Sequence, residues 1–365
     1  MTVPKHVEEL LEDLADSLQI PPSRYEAAER SYKSVGDWLH RETSTLRQAK
    51  PQVYIQGSFR LGTVIKPISD AEDYDVDLVC ELSASKARLS QERLKSALGY
   101  ELKAYAAAHS IDDPEEGRRC WTLQYADSAQ FPLDTLPAIP DGAHKRMLLE
   151  QRAMSTEWSD TAIAITDREH PNYRQISEDW PHSNPKGYSE WFRFRIQNVF
   201  NARRLKLAME ARASVEEIPE YRVRTPLQSA IQIVKRHRDM MFIERADEKP
   251  ISIIITTLAA HAYNQEPTIA GALYSILVRM NNYIEDRQGV AWIANPTDPA
   301  ENFADKWQEH PERRDAFFEW LEEARADFAA AAATATREQA FSGLEAHLGK
   351  QLVETARARR TATTR

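Results

Sequence analysis

Cysteine is nearly absent from the sequence: Cys80 and Cys120 are the only two in 365 residues. That excludes a disulfide scaffold and a cysteine-based metal framework. Both lie in apolar, strand-like stretches and read as buried, reduced thiols of a cytosolic protein. No apolar run reaches the length of a membrane span, and the opening MTVPKHVEELLEDL lacks the basic-then-apolar order of a signal peptide. A cytoplasmic protein with no membrane partner is expected. An excess of positive charge is missing too. The formal net charge is −9, so no long duplex nucleic acid is expected as a partner, since such proteins carry a basic footprint. A local group of Lys and Arg can still serve a small polyanion. There is no internal repeat. What is present, 42% hydrophobic and 28% charged residues, suits a globular chain long enough for two domains.

Hydrophobic spacing divides the chain in two. Residues 5–18 place Val7, Leu10, Leu11, Leu14 and Leu18 on one helical face. Pro21-Pro22 ends that helix, and a longer one is predicted from Ser23 towards Arg47. QVYIQGS reads as a strand closing in a glycine turn, DYDVDLVCEL as a second strand, and 86–109 as a helix. CWTLQYA, FPLDTLPAI and TAIAIT follow as strands. REHPNYRQISEDWPHSNPKGY is rich in Pro, Asn and Ser and reads as a surface connection. Beyond Ser189 strand signals nearly vanish and successive helices are predicted, SIIITTLAAHAYN among them, with 311–331 and 337–358 as the last. WIANPTDPAENFADKW reads as another connection. The fold class is α+β: a mixed half over 1–187 with N-terminal helices, a helical half over 188–358, and a flexible tail over 359–365.

One stretch, YIQGSFRLGTVIKPISDAEDYDVDLVCEL (54–82), poses a chemical question. Residues i and i+2 of a strand share a face, so Asp75, Asp77, Val79 and Glu81 lie on one side while Val76, Leu78, Cys80 and Leu82 face the core. Adjacent carboxylates repel and each costs desolvation. A divalent cation compensates both, since Mg²⁺ takes a few carboxylates plus substrate phosphates. Two such ions can activate a hydroxyl and neutralise leaving pyrophosphate. A third acid from another strand completes such a set, and Asp134, the lone acid at the end of an apolar segment, is the candidate. Gly57-Ser58 upstream lets backbone amides approach an anion closely and adds a hydroxyl. An Asp-x-Asp alone, or a Gly-Ser alone, is an everyday pattern; their combination in this order is specific.

GSFRLGT, DYDVDLV and FPLDTLPA together resemble the signature of the DNA polymerase β-like nucleotidyltransferases. More narrowly they resemble the bacterial cGAS/DncV-like enzymes (CD-NTases) of the anti-phage CBASS systems, which make cyclic or linear oligonucleotide signals. The likeness continues through SNPKGYSEWFRFR, IQIVKRHRDMMF, KPISIIITTLAAHAY and NPTDPAENFADKW. It implies a bilobed fold, a polymerase β-like core plus a helical domain with a central cleft. It implies that Asp75, Asp77 and Asp134 bind two Mg²⁺ ions, with Mn²⁺ as a substitute, and that Asp134 draws the proton from the attacking ribose hydroxyl. Gln56, Gly57 and Ser58 resemble the donor triphosphate loop, Lys235 a triphosphate-holding lysine, and Ser252 a nearby phosphate-contacting serine. Relatives often place an aromatic after that serine to stack on the base; here it is Ile253. The Cys/His zinc insertion of the animal DNA-sensing relative is missing, which argues against duplex DNA as activator. Some relatives are attached to a target through a C-terminal glycine, which the ending TATTR does not offer.

The resemblance implies a template-independent enzyme that joins NTPs, ATP or GTP foremost, into a cyclic di- or trinucleotide or short linear messenger for anti-phage defence. A downstream effector that binds the product and a regulatory partner are implied with it. Two alternatives stay open: an RNA or tRNA 3′-end nucleotidyltransferase or nucleotidylyl-transferring toxin, and an inactive nucleotide-sensing scaffold. His109, His237 and His261 have no metal-ligand spacing to cysteine and read as structural. The Arg-rich segment 193–206 reads as an amphipathic helix with its arginines in water.

Overall fold

The computed structural model of the chain describes residues 4–68, 76–125, 132–212 and 214–363, with side chains as far as 359. Internal contacts divide it into two compact units. Residues 21–61 and 67–191 form one; residues 1–20, 62–66 and 192–365 form the other. α1 (Lys5–Leu18) belongs to the second unit and α2 (Pro22–His40) to the first.

The first unit is built on a mixed sheet. Its elements after α2 are β1 (Gln52–Ile55), a helical turn α3 (Gly57–Leu61), β2 (Val76–Glu81), α4 (Gln91–His109), β3 (Glu115–Glu116) and β4 (Trp121–Gln124). They continue with β5 (Pro132–Pro140), α5 (Gly142–Gln151), β6 (Ile163–Ile165) and β7 (His182–Ser183). The strand order is β1-β2-β5-β4-β3, with β6 joining the far end of β5 and β7 joining β6. β2 and β5 run parallel, and the other pairs are antiparallel. A parallel pair needs a long crossover, and the segment carrying α4 provides it. α4 begins at Gln91, later than the spacing suggests, because the Ser90 side chain accepts from the Arg93 amide and caps it there. α4 rides close over β4: a Cβ on Gly99 would fall 2.2 Å from the Trp121 ring, so a larger residue would push helix from strand. α2 ends at His40 rather than near Arg47. The buried residues of β2 are Val76, Leu78 and Cys80 on one face, but Val79 on the other face is buried as well. It packs with Leu136, Ala138, Ile163, Ile165 and the half-buried Tyr54. The face expected to be polar is therefore apolar two residues beyond Asp77. Cys80 is a buried free thiol, pushed up to about 12 by burial; Cys120 is free and only half-buried.

The second unit is mostly helical. It contains α6 (Pro185–Ala211, from Phe192 on), α7 (Pro226–Met241), α8 (Ser252–Ala262) and α9 (Ile269–Arg279). After two small hairpins come α10 (Lys306–Glu309), α11 (Pro311–Ala332), α12 (Arg337–Leu348) and α13 (Lys350–Thr363). The hairpins, β8 (Glu285–Arg287) with β9 (Val290–Trp292) and β10 (Ala294–Asn295) with β11 (Asp298–Asn302), occupy a stretch read partly as helix and partly as connection. They escape a period-two reading because side chains stitch them: Asn302 Nδ2 donates to the Ala291 carbonyl and Asn302 Oδ1 accepts from the Ile293 amide. The expected helix over 337–358 breaks at Gly349, where φ is 91°, and α13 continues into the segment read as tail. SIIITTLAAHA is helical despite its β-branched residues, because burial on nearly every side outweighs propensity.

α1 was grouped with the catalytic core from its place in the sequence, whereas its contacts lie with α13, α7, α12 and α9. Its leucine face is buried there, Asp13 pairs with Arg337, and the Glu8 carboxylate accepts from the Ile269 and Ala270 amides, both at 2.8 Å. An acid on a helix N-terminus satisfies orphan donors and complements the dipole. The arginines of α6 are likewise not simply in water. Arg195 donates to the carbonyls of Ala260, His261 and Tyr263, closing the C-terminus of α8, while Arg203 and Arg204 bind the carbonyls of Arg224 and Ile218. Among the described residues no helix is long and apolar enough to cross a membrane.

Candidate active site

The strand register answers the question posed by the acids. In the parallel pair β2·β5, Asp77 stands directly beside Asp134, and register partners of adjacent strands present their side chains on the same face. Both are half-buried. β4 then brings Thr122 opposite Asp134 from the other side, and the Thr122 hydroxyl donates to Asp134 Oδ1. Asp134 has no lysine or arginine partner among the described residues. Asp75 lies outside the described residues. Two carboxylates side by side, one of them oriented by a neutral hydroxyl rather than neutralised by a cation, are a donor set of hard oxygens that fits a divalent ion such as Mg²⁺.

The glycine loop meets this pair from β1. The Gln56 amide donates to the Asp77 carbonyl at 2.8 Å, continuing the β1·β2 ladder by one residue. The chain then turns at Gly57 with φ 64°, a conformation that favours glycine. A Cβ there would lie 2.5 Å from Asp77 Oδ2. Gly57 is exposed and Ser58 half-buried at the start of α3. So Gly57 is set against Asp77 and Asp77 beside Asp134 on one face of the sheet's interior strands, with Gln56 and Ser58 adjoining Gly57 in the chain. The glycine turn is the entry to a helical turn rather than a simple reversal.

Lys235 and Ser252 belong to the other unit. Lys235 lies on α7 and is almost wholly buried; its ammonium donates to the Thr63 carbonyl at 3.1 Å. Ser252 is the first residue of α8, and its Oγ accepts from Arg238 at 3.0 Å. Arg238, one turn beyond Lys235, thus lies between the two. The sequence reading missed what Lys235 is tied to. Residues 62–66, which follow α3, form an irregular strap with no strand partner among the described residues, and side chains satisfy its carbonyls. Gln232 donates to Val64 at 2.7 Å and Arg236 to Lys66 at 2.5 Å. Buried backbone acceptors need such partners. The i, i+3, i+4 spacing of Gln232, Lys235 and Arg236 is the signal that could have revealed it, since it puts three donors on one face of α7. Thr122 was also missed, although an antiparallel pairing of WTLQ with FPLD would have set it opposite Asp134.

Burial lowers the Lys235 ammonium to about 8 from 10.5, with the nearby Arg238 adding to the effect. Such a gap between folded and unfolded chain corresponds to about 3 kcal/mol. The unfolded chain binds the extra proton between pH 8 and 10.5, so stability rises with pH through that window and the full cost is present below it. Lys235→Met is expected to raise stability at pH 7 by about 2 kcal/mol, after loss of one hydrogen bond of about 1 kcal/mol, and to lose that advantage near pH 10.5. Urea unfolding at both pH values checks it; a destabilised variant at pH 7 would show that the ammonium is better solvated than its burial implies.

Residues 51–135 match the nucleotidyltransferase domain of the family described as cyclic GMP-AMP synthase DncV-like. Over 317 residues the chain is 27% identical to the c-di-GMP synthase of Roseivirga ehrenbergii, covering 86% of this chain and 77% of that protein. It is 25% identical over 320 residues to the cyclic dinucleotide synthase CdnG of Bradyrhizobium diazoefficiens, 82% of this chain and 70% of that one. The structure of that CdnG with GTP superposes with a TM-score of 0.73 at 21% identity, over 97% of this chain and 99% of the other. Vibrio cholerae DncV, in a complex with ATP and GTP, gives 0.57 at 13% identity over 96% and 89%.

Proposed function

We propose that this chain, similar over residues 51–135 to the DncV-like nucleotidyltransferase domain and over most of its length to cyclic dinucleotide synthases, is a metal-dependent enzyme of that kind and joins nucleoside triphosphates, ATP or GTP foremost, into a cyclic di- or trinucleotide messenger with release of pyrophosphate. The observation that carries this reading is the placement of Asp77 beside Asp134 on parallel strands, with Gly57 seated against the Asp77 carboxylate. Asp75, Asp77 and Asp134 would hold two divalent ions, Mg²⁺ foremost with Mn²⁺ as a substitute. When bound, such ions acidify an attacking hydroxyl and neutralise charge on leaving pyrophosphate.

The chain's own residues have separate tasks in this proposal. Thr122 occupies Asp134 Oδ1 and so leaves Oδ2 as the acceptor for the ribose hydroxyl proton. The hydroxyl oxygen then bonds to the α-phosphorus, the bond from that phosphorus to the β-phosphate bridge breaks, and pyrophosphate departs. The Gly57 amide and Ser58 hydroxyl hold donor phosphate, where the missing Cβ permits close approach. Gln56 keeps that turn in register with β2. Lys235 and Ser252 are assigned to the triphosphate tail on the family resemblance alone, since the Lys235 ammonium is buried and engaged by the Thr63 carbonyl. The relatives named above make cyclic dinucleotides, which supports a cyclic product here. A place in anti-phage defence, with a product-binding effector and a regulatory partner, is part of the same proposal.

The test is to incubate the purified chain with all four NTPs and Mg²⁺ or Mn²⁺, treat with phosphatase, and read the products by mass spectrometry. A phosphatase-resistant di- or trinucleotide is expected and identifies the bases. Label transferred to added RNA or protein, with no such product, would overturn the cyclic reading in favour of a macromolecular acceptor.

A further inference from the structure

Outside the catalytic carboxylates, two groups of histidines and carboxylates bring at least three donor atoms within 4.8 Å of one another among the described residues. They differ in what surrounds them. Asp141, His144 and His182 of the sheet unit already contain a cation. The Lys86 ammonium is 2.8 Å from Asp141 Oδ1 and 2.9 Å from His144 Nδ1. A metal placed there would face that charge, so the group is a satisfied ion-pair network.

The second group has no such occupant. His237 on α7, Asp327 on α11 and His347 on α12 converge on one oxygen. His237 Nε2 lies 2.9 Å and His347 Nδ1 2.7 Å from Asp327 Oδ2. The two imidazole planes are nearly parallel, 7° apart, and stack with centroids at 5.8 Å. His237 is 1% exposed. Asp327 has no lysine or arginine partner among the described residues, and the Glu323 carboxylate, one turn earlier on α11, also acts on His237. With neutral imidazoles, the pocket is therefore a site of net negative charge with two nitrogen donors and one oxygen donor, anchored on three different helices.

We propose that His237, Asp327 and His347 form a binding site for one divalent transition metal, zinc foremost, that staples α7, α11 and α12 together. Imidazole nitrogens select Zn²⁺ or Co²⁺ over Mg²⁺, which separates this site chemically from the Asp77/Asp134 pair. A tetrahedral ion with bonds of about 2.0–2.2 Å spaces its donors roughly 3.3 Å apart. The present spacing must open by roughly 0.5 Å, which the partly exposed His347 can accommodate by rotating about its side-chain torsions. Solvent on the His347 side supplies the fourth ligand. Among the described residues the His237 Nδ1 has no hydrogen-bond partner, so the site lacks one of the outer-shell acceptors that tighten metal binding 10–100-fold. Dissociation constants on the order of micromolar, rather than the nanomolar or tighter values of structural zinc sites, follow. The histidine that the sequence marked as structural thus has a ligand role, invisible there because its partners are about 90 and 110 residues away along the chain.

The experiment uses the full chain dialysed against EDTA. Co²⁺ is titrated with detection by visible absorption, and Zn²⁺ by thermal shift, in the wild type, Asp77→Asn, His347→Ala and Asp327→Asn. One equivalent of Co²⁺ with the intense bands of a tetrahedral site, a Zn²⁺-dependent rise in Tm of several degrees, and full retention of both in Asp77→Asn are expected. Each of the other two substitutions should weaken binding at least tenfold; Asp327→Asn is nearly isosteric and keeps the test valid if His347→Ala unfolds. No binding, binding unchanged in both variants, or binding lost only in Asp77→Asn would overturn the proposal. None of these readouts depends on nucleotide synthesis, so the result stands apart from the functional reading.

Discussion

Asp77→Asn is expected to abolish nucleotide joining, a loss on the order of 10³-fold or more, while leaving the fold intact. In the proposed role the pair holds the catalytic ions, and removing one of its carboxylates would delete several kcal/mol of transition-state stabilisation. The substitution is nearly isosteric and sits at a half-buried position, so packing is preserved. Its effect on stability should run the other way. Asp77 and Asp134 stand side by side in the β2·β5 register, and like charges at that spacing repel. In EDTA the variant should therefore melt at the same temperature as the wild type or slightly above it. Added Mg²⁺ should raise the Tm of the wild type and not that of the variant. Turnover by mass spectrometry and melting with and without Mg²⁺ test both halves. A variant that still forms product would remove Asp77 from the catalytic set. One that loses both product and melting transition would mean that the residue is needed for folding.

Gly57→Ala is expected to cost at least 100-fold in activity for a modest loss of stability, on the order of 1–2 kcal/mol. The stability term is the cost of placing a Cβ at φ 64°. The activity term has a different origin. The new methyl would fall 2.5 Å from Asp77 Oδ2, too close for any real contact, and what must yield is the end of the carboxylate side chain. The chain can accommodate the clash by turning Asp77 away, and doing so would remove the proposed metal ligand from its place. A misplacement of about 1 Å at a reacting centre can cost 10²-fold. The distinguishing readout is again metal-dependent melting: the Mg²⁺ shift should shrink in Gly57→Ala although both aspartates remain. An alanine variant with unchanged turnover would show that the loop does not constrain Asp77.

These two results bear on one piece of geometry read from opposite sides, and they explain why the turn after β1 and the acids of β2 occur in fixed order. β1 pairs with β2, and the ladder extends to Gln56 through the Asp77 carbonyl. That bond sets the glycine loop beside the carboxylate. The third acid reaches the same face only because β5 lies parallel to β2 with Asp134 in register.

Much of this was legible in the sequence because it rests on local periodicity. The i, i+2 rule identified which side of β2 carries Asp77, and the 3.6-residue spacing predicted α1, α7 and α11. Gly-Ser, Asp-x-Asp and a later lone Asp in that order pointed to the segments that the structure sets side by side, Gly57 against Asp77 and Asp77 beside Asp134. The family resemblance drew on the same residues. Where the sequence reading fell short, some misses were local, such as the Ser90 cap of α4 and the break at Gly349, and the others turned on a partner elsewhere in the chain. α1 joins the helical unit because its leucine face finds α13, and Glu8 finds the amides that open α9. Val79 is core rather than platform because β6, more than 80 residues later, supplies Ile163 and Ile165. The hairpins over 285–302 are held by asparagine side chains and leave no period-two trace. Arg195 ends α8 instead of facing water, and His237 meets Asp327 and His347 only when three helices pack. The sequence by itself determined which residue types are candidates for the reaction and, for Asp77, which face of its strand it occupies. Tertiary structure alone decided which faces meet, because register, parallel pairing and the burial of Lys235 against residues 62–66 are properties of segments that do not adjoin in the chain.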